Sequence, residues 1–275
     1  MTPSVSFAER RVINMKNIIK SIVYEILHSK LLLRMYLLFL GLYVFVAIIN
    51  IDTGEGAGKT SGMLADGGAL VYEIPIFVLA LVVGVICGED YKDKVANYEV
   101  LSGHSRKRIF LARSLFAIIA ASVSCLVISF IPLIAGNIYA GWGNKLVLGD
   151  VVSRYLLLIF PYMRLAAFLV VITFVVKNHY AMMAIGFFIM EASIVMAELT
   201  NKANVYISIY NMKMLTSFDS WNIYNTDPVE GIIEYSSYNS SLNSEMVIGT
   251  IVVSLALTAF YLFLGYALFR RDELS

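Results

Sequence analysis

The stretch from Gly54 to Thr60 (GEGAGKT) comes nearest to a known chemistry, because a glycine-rich loop closing on Gly-Lys-Thr can cradle phosphates with its backbone N–H groups. The spacing fails by one. Counting back from Gly58, the position that needs the first glycine is Thr53, and no strand-loop-helix unit surrounds the loop. It reads instead as a flexible connection. The three histidines, His28, His104 and His179, lie far apart and none has a neighbour at ligand spacing. Cys87 and Cys125 both fall in apolar runs, as small membrane-buried thiols do, and support neither a disulfide framework nor a metal site. No acid, base and nucleophile cluster, so a membrane-embedded enzyme is the weakest of the functional classes.

What remains chemically pointed is charge inside apolar surroundings. Arg164 and Glu191 each sit near the middle of a long apolar run, and a tight turn around Lys177 to Tyr180 joins the two runs. Antiparallel neighbours would place both charges at one depth. An unpaired charge there costs at least a few kcal/mol. The expectation is an Arg164–Glu191 ion pair, acting as a helix clamp or lining a substrate path. Glu73 and Glu198 fall near the outer ends of their runs, where they could form an outer gate.

These residues need elements to hold them, and composition says which. Of the 275 residues 59% are hydrophobic and 15% charged, against roughly a quarter charged in soluble domains. With a mean hydropathy of +0.75 this is an integral membrane protein. The net charge of +1 offers no field for nucleic acid. Six apolar segments, near residues 31–51, 69–87, 109–138, 151–176, 181–200 and 246–269, each approach the roughly 20 residues a bilayer requires. Helices satisfy their own backbone groups in lipid, so the fold class is an all-α membrane protein of six transmembrane helices. Pro132 and Pro161 are the expected kinks.

Before the first span, Met15, Ile18, Ile19, Ile22, Val23, Ile26 and Leu27 recur at three- and four-residue steps, with Arg11, Lys16 and Lys20 off that stripe. This is an amphipathic interfacial helix within residues 1–30, a cytoplasmic tail region preceding a transmembrane domain of residues 31–275. Orientation follows from Lys and Arg. With the N-terminus inside, fourteen of the twenty-one fall in cytoplasmic segments and five outside. Both termini are then cytoplasmic. The segment of residues 201–245, rich in Tyr, Asn and Ser, is extracellular and forms a small cap with short helices against the last spans. Most of the 17 Tyr and 16 Phe suit belt or packing positions, although an aromatic-lined cavity would also fit an amphipathic substrate.

One polar island interrupts the apolar runs: Gly88 to Arg108, GEDYKDKVANYEVLSGHSRKR. The charge count places it in the cytoplasm. Val95, Tyr98, Val100 and Leu101 interleave with polar residues, as on a helix lying flat on the membrane. The run Asp90, Lys94, Val95, Ala96, Asn97, then Leu101, Ser102, Gly103, Ser105, Arg106, then Ile109 to Arg113 resembles the segment between the second and third spans of ABC-2 type permeases, the membrane subunits of ABC exporters. Lys94-Val95 stands where that family commonly has Gly-Thr, and Arg113 where it has Lys. The closing run from Tyr261 through Phe269, Arg270, Arg271 and Asp272 resembles the family's usual end.

The resemblance implies a coupling helix at residues 89–106. Separate ATPase subunits, which bind ATP and Mg, would dock on it through Glu89, Asp90, Asp93, Tyr98, Leu101, His104 and Arg106. It further implies a second permease copy, as a homodimer or with a close paralogue, and alternating access that exports an amphipathic substrate such as a toxin or antimicrobial peptide or a drug. The setting would be the bacterial plasma membrane. The chain has no ATPase motif of its own and binds no cofactor in this reading. The alternative is a non-transporting membrane sensor or scaffold that binds a cytoplasmic partner through residues 88–108.

Overall fold

The computed structural model describes residues 19–24, 26, 28–53, 58–66, 70–88, 105–176, 178–199, 206–216, 218, 225–226, 233–234 and 242–271. They are almost wholly helical. Residues 19–24, 26 and 28 are helical, and after them the helices with defined bounds are α1 (Lys30–Thr53), α2 (Thr60–Asp66), α3 (Leu70–Val83), α4 (Arg106–Ala140), α5 (Leu148–Leu157), α6 (Ile159–Val176), α7 (His179–Leu199), α8 (Tyr210–Thr216) and α9 (Ser244–Arg271). A two-residue antiparallel ladder, pairing Asn225 with Glu234 and Thr226 with Ile233, is the one piece of strand among the described residues.

Among the described residues four helical stretches are long and apolar enough to cross a membrane: Leu32–Thr53, Arg106–Ala140, Leu148–Val176 and Ser244–Arg270. Two apolar helical stretches are shorter, Ile74–Gly88 and Tyr180–Ala192. Local chemistry sets several of the starts. Ser29 Oγ accepts the N–H of Leu32 at 3.3 Å, Asn178 Oδ1 those of Tyr180 and Ala181 at 3.0 and 3.2 Å, and Asn243 Oδ1 that of Glu245 at 3.2 Å. Each side chain caps donors that the first turn of a helix leaves without partners. Asn178 also marks the expected tight turn between α6 and α7.

The prolines behave unequally. Pro132 lies inside α4, which runs unbroken through it. Pro161 stands three residues after the break at Leu158 that separates α5 from α6. Its ring crowds the carbonyl four residues earlier, which is Leu157, the last residue of α5. A second irregularity, which sequence periodicity does not announce, is the buried π-helical turn Gly84–Gly88 that ends α3.

Helix α6 is the hub, packing against α9, α4, α7, α3 and α5. In the most apolar stretch of Leu148–Val176, 72% of residues are buried, against 11% on α1 and 17% on α9. The outer helices therefore present Leu37, Leu38, Phe45, Phe260 and Phe263 outward, as lipid-facing surfaces do. Gly186 of α7 lets that helix close on α6, since a Cβ there would lie 2.4 Å from Leu169 Cδ2.

Two faces of the bundle are defined by contacts at the helix ends. On one, Phe110 near the start of α4 meets Phe174 at the end of α6 and Tyr266 and Phe269 at the end of α9, with ring centroids 5.4 to 5.6 Å apart. Arg106 and Lys107 are exposed beside it. On the opposite face Tyr139 donates to Asp52 at 3.2 Å, tying the ends of α1 and α4. Lys59 Nζ donates to Ala140 O at 2.7 Å, Thr60 N and Oγ1 to Gly141 O at 3.2 and 3.0 Å, and Ser61 N to Trp142 O at 2.8 Å. The Lys-Thr pair that looked like a phosphate loop thus serves the C-terminal carbonyls of α4, where a cation also suits the helix dipole. Gly143 is needed in this joint. Its φ is +90°, and a Cβ would come within 2.6 Å of Ser61 Oγ.

The N-terminal stripe is described only from residue 19. There Ile22 is buried, Ile26 half-buried, and Lys20 and Tyr24 exposed, with Tyr24 stacked on His28 at 3.9 Å. The expected amphipathic helix upstream of residue 19 lies outside the described residues.

Candidate functional site

Two regions concern function: the basic end of the bundle, where residues 89–104 depart and return, and a buried polar seam between α6, α9 and the segment 206–218.

At the basic end, Glu89, Asp90, Asp93, Tyr98, Leu101 and His104 lie outside the described residues, so only the frame around them is defined. The frame is compact. The π-helical turn at Gly84–Gly88 packs against α4, and buried Arg113 of α4 lies within electrostatic reach of the Cys87 thiol. Arg106 opens α4 exposed to solvent. The chain therefore leaves and re-enters the bundle between two packed helix ends.

The seam is built by the segment 206–218, which folds inward. Ser208, Ile209, Tyr210, Asn211, Met212, Leu215, Thr216 and Phe218 are all buried. Ser208 Oγ accepts the Tyr210 N–H at 3.1 Å and starts the short α8. Asn211 and Thr250 of α9 exchange hydrogen bonds at 3.1 and 3.3 Å. The Tyr206 ring covers α9 at Gly249, where a Cβ would lie 2.8 Å from the ring. Burial, with the Glu245 carboxylate adding to it, pushes the Tyr206 phenol up from its usual value, so its hydroxyl stays neutral. Arg154 of α5 reaches the same segment, with Nη1 3.5 Å from Met214 O and its guanidinium 5.0 Å from the centroid of the Phe218 ring. A short helix, α8, is present in this segment and is tied to the last apolar helix, α9, through Asn211 and Thr250. The segment also reaches α5 and α6, which sequence did not foretell.

Arg164 of α6 is the largest fully buried side chain among the described residues, 1% exposed. Its Nη2 donates to Ser208 O at 2.9 Å. Its Nε and Nη1 are sealed from solvent and have no hydrogen-bond partner among the described residues. The charge lies within electrostatic reach of Tyr261 on α9, whose ring packs on Phe168 at 5.5 Å. The hydrogen bond described for the guanidinium therefore ties α6 to the 206–218 segment. Glu191 is half-buried on α7. Glu73 and Glu198 belong to α3 and α7, and their side chains lie outside what is described.

Behind the seam runs a second polar line. Ser129 Oγ donates to Cys125 O at 2.8 Å, so Tyr162, 2.6 Å away, is the donor to Ser129. Cys125 Sγ donates to Pro75 O at 3.1 Å, joining α4 to α3. Both cysteines are free and buried. Among the described residues no three His, Cys, Asp or Glu side chains gather as a metal site requires.

Sequence reasoning located Arg164 but missed Ser208 and Tyr261. Neither stands out by type, and their meeting depends on how the 206–218 segment folds. No protein-family model matches the chain, and no curated protein matches it either.

Proposed function

We propose that the chain is the permease subunit of an ATP-driven exporter in a bacterial plasma membrane, with both termini and residues 89–106 in the cytoplasm. The observation that carries this reading is the polar segment whose residues resemble the coupling region of ABC-2 type permeases, bracketed by two packed helix ends on the basic face. A short amphipathic segment held at both ends by packed helices can pass a partner's rigid-body motion into the bundle. In this reading the shorter stretches Ile74–Gly88 and Tyr180–Ala192 also span, giving six. Two copies of the chain, or one with a close paralogue, pair in the membrane. Separate ATPase subunits bind ATP and Mg and dock through Glu89, Asp90, Asp93, Tyr98, Leu101, His104 and Arg106. The cargo is amphipathic, a peptide or a drug, and leaves by alternating access.

The docking claim is tested by purifying the tagged chain from its native membrane in mild detergent. A stoichiometric nucleotide-binding subunit is expected to accompany it, and a chain that purifies without one would remove the basis for the reading. Orientation has its own test. Ser105 and Asn144 are exposed near opposite ends of α4. A cysteine at Asn144 is expected to react with a membrane-impermeant thiol reagent on intact cells, and one at Ser105 only after permeabilisation. The reverse pattern would put the polar island outside.

A further inference from the structure

The seam around Arg164 carries more than packing explains. A guanidinium stays charged at any physiological pH and offers five N–H donors in a planar fork. Here Nη2 has a neutral carbonyl, Ser208 O at 2.9 Å, and Nε and Nη1 have no partner among the described residues. Tyr261, the group in electrostatic reach, is a phenol and not a carboxylate. A strut between α6 and the cap would need one donor, and a neutral amide could supply it without burying a charge. Burying a charge beside dipoles alone is costly unless another state of the molecule repays it.

We propose that Arg164 is an oxyanion-binding residue, taking a carboxylate or phosphate group, and that the segment 206–218 is its lid, closed in this structure with the Ser208 carbonyl standing in for the anion's oxygen. The fork of an arginine matches carboxylate and phosphate geometry, and such charge-assisted bonds are the strong ones. The lid is held by separable contacts: the Asn211–Thr250 pair, the Tyr206 ring over Gly249, and the two arginines on the Ser208 and Met214 carbonyls. Displacing it frees Nη2, the donor that the Ser208 carbonyl occupies. The group belongs to a lipid headgroup or to a free solute, and the site exists whether or not the chain is an exporter.

The test uses the purified full chain in neutral detergent, with thermal unfolding as the readout, since a ligand of the folded state raises its melting temperature with dose. One arm adds phosphatidylglycerol in phosphatidylcholine bicelles, and the other adds inorganic phosphate or acetate at fixed ionic strength. A saturable rise is expected in one arm, which identifies the source. It is expected to vanish in Arg164→Gln and to weaken in Arg164→Lys, which keeps the charge and loses the fork. A cysteine pair at Tyr206 and Gly249, which are partly exposed and face each other, bridged by a short reducible bis-methanethiosulfonate, is expected to abolish the rise until a reductant restores it. The same treatment of the unaltered chain, whose two cysteines are buried, is the control. No rise in either arm overturns the proposal, as does a rise that survives unchanged in the bridged protein or in Arg164→Gln. If Arg164→Gln does not fold, the bridged protein and Arg164→Lys decide the matter.

Discussion

Replacing Glu89 and Asp90 together with alanine is expected to strip the ATPase subunit from the chain during purification and to abolish transport, while the thermal unfolding of the membrane bundle is unchanged. The two carboxylates follow directly on Gly88, the last residue of the buried turn that ends α3. In the proposed reading they are the first residues of the docking segment and meet a partner's cationic groups. Truncating one side of a charged contact at an interface commonly costs about 2–5 kcal/mol, enough to empty a complex of micromolar affinity at working concentrations. The described end of the bundle closes on the aromatic cluster of Phe110, Phe174, Tyr266 and Phe269, so its unfolding is expected not to depend on the two carboxylates. Retained ATPase binding with normal transport would show that the contact lies elsewhere. A collapse of the melting temperature would show that the pair is structural.

The second large effect is expected in the bundle core and is a matter of asymmetry. Ser129→Ala removes the acceptor of the fully buried Tyr162 hydroxyl, and a buried donor left without a partner costs about 1–3 kcal/mol. Tyr162→Phe removes the donor instead and leaves Ser129 bonded to Cys125 O, so its cost is expected to be smaller. The double substitution removes both polar groups and is expected to be more stable than Ser129→Ala alone. Unfolding of the four proteins in one detergent checks this. Equal losses for the two single substitutions, or additive losses in the double, would mean that Tyr162 does not depend on Ser129.

The bundle is largely legible in the sequence because lipid makes the rules simple. An apolar run of sufficient length must be a helix, and the six expected segments coincide with α1, α3, α4, the α5–α6 pair, α7 and α9 to within a few residues. The break before Pro161 was legible for the same kind of reason, since a ring clash is local. The unbroken passage through Pro132 and the π-helical turn at Gly84–Gly88 were not, because neighbouring helices decide them. Lys59 and Thr60 illustrate the limit from the other side. Their types suggested phosphate, and the end of α4, 81 residues away, took them as a cap.

The site was half legible. A lone arginine amid apolar residues advertises itself, and Arg164 proved to be the largest of the fully buried side chains among the described residues. Its partner did not advertise itself. The shared depth of Arg164 and Glu191 in the sequence says nothing about which way a side chain turns around its helix. The carbonyl that meets it belongs to Ser208, in a polar segment with no periodic signal. Backbone acceptors carry no sequence label, so sites built from them escape a reading by residue type.

The central claim is that this chain turns the work of a separate ATPase into movement of an amphipathic cargo. The measurement that tests it most directly is ATP hydrolysis by the complex purified from its native membrane, across a panel of amphipathic peptides, lipids and drugs. The account predicts basal hydrolysis that at least one member of the panel stimulates, that the Glu89/Asp90 double alanine variant loses, and that the chain alone never shows. Hydrolysis indifferent to every compound and to that variant, or no associated hydrolysis at all, would contradict it.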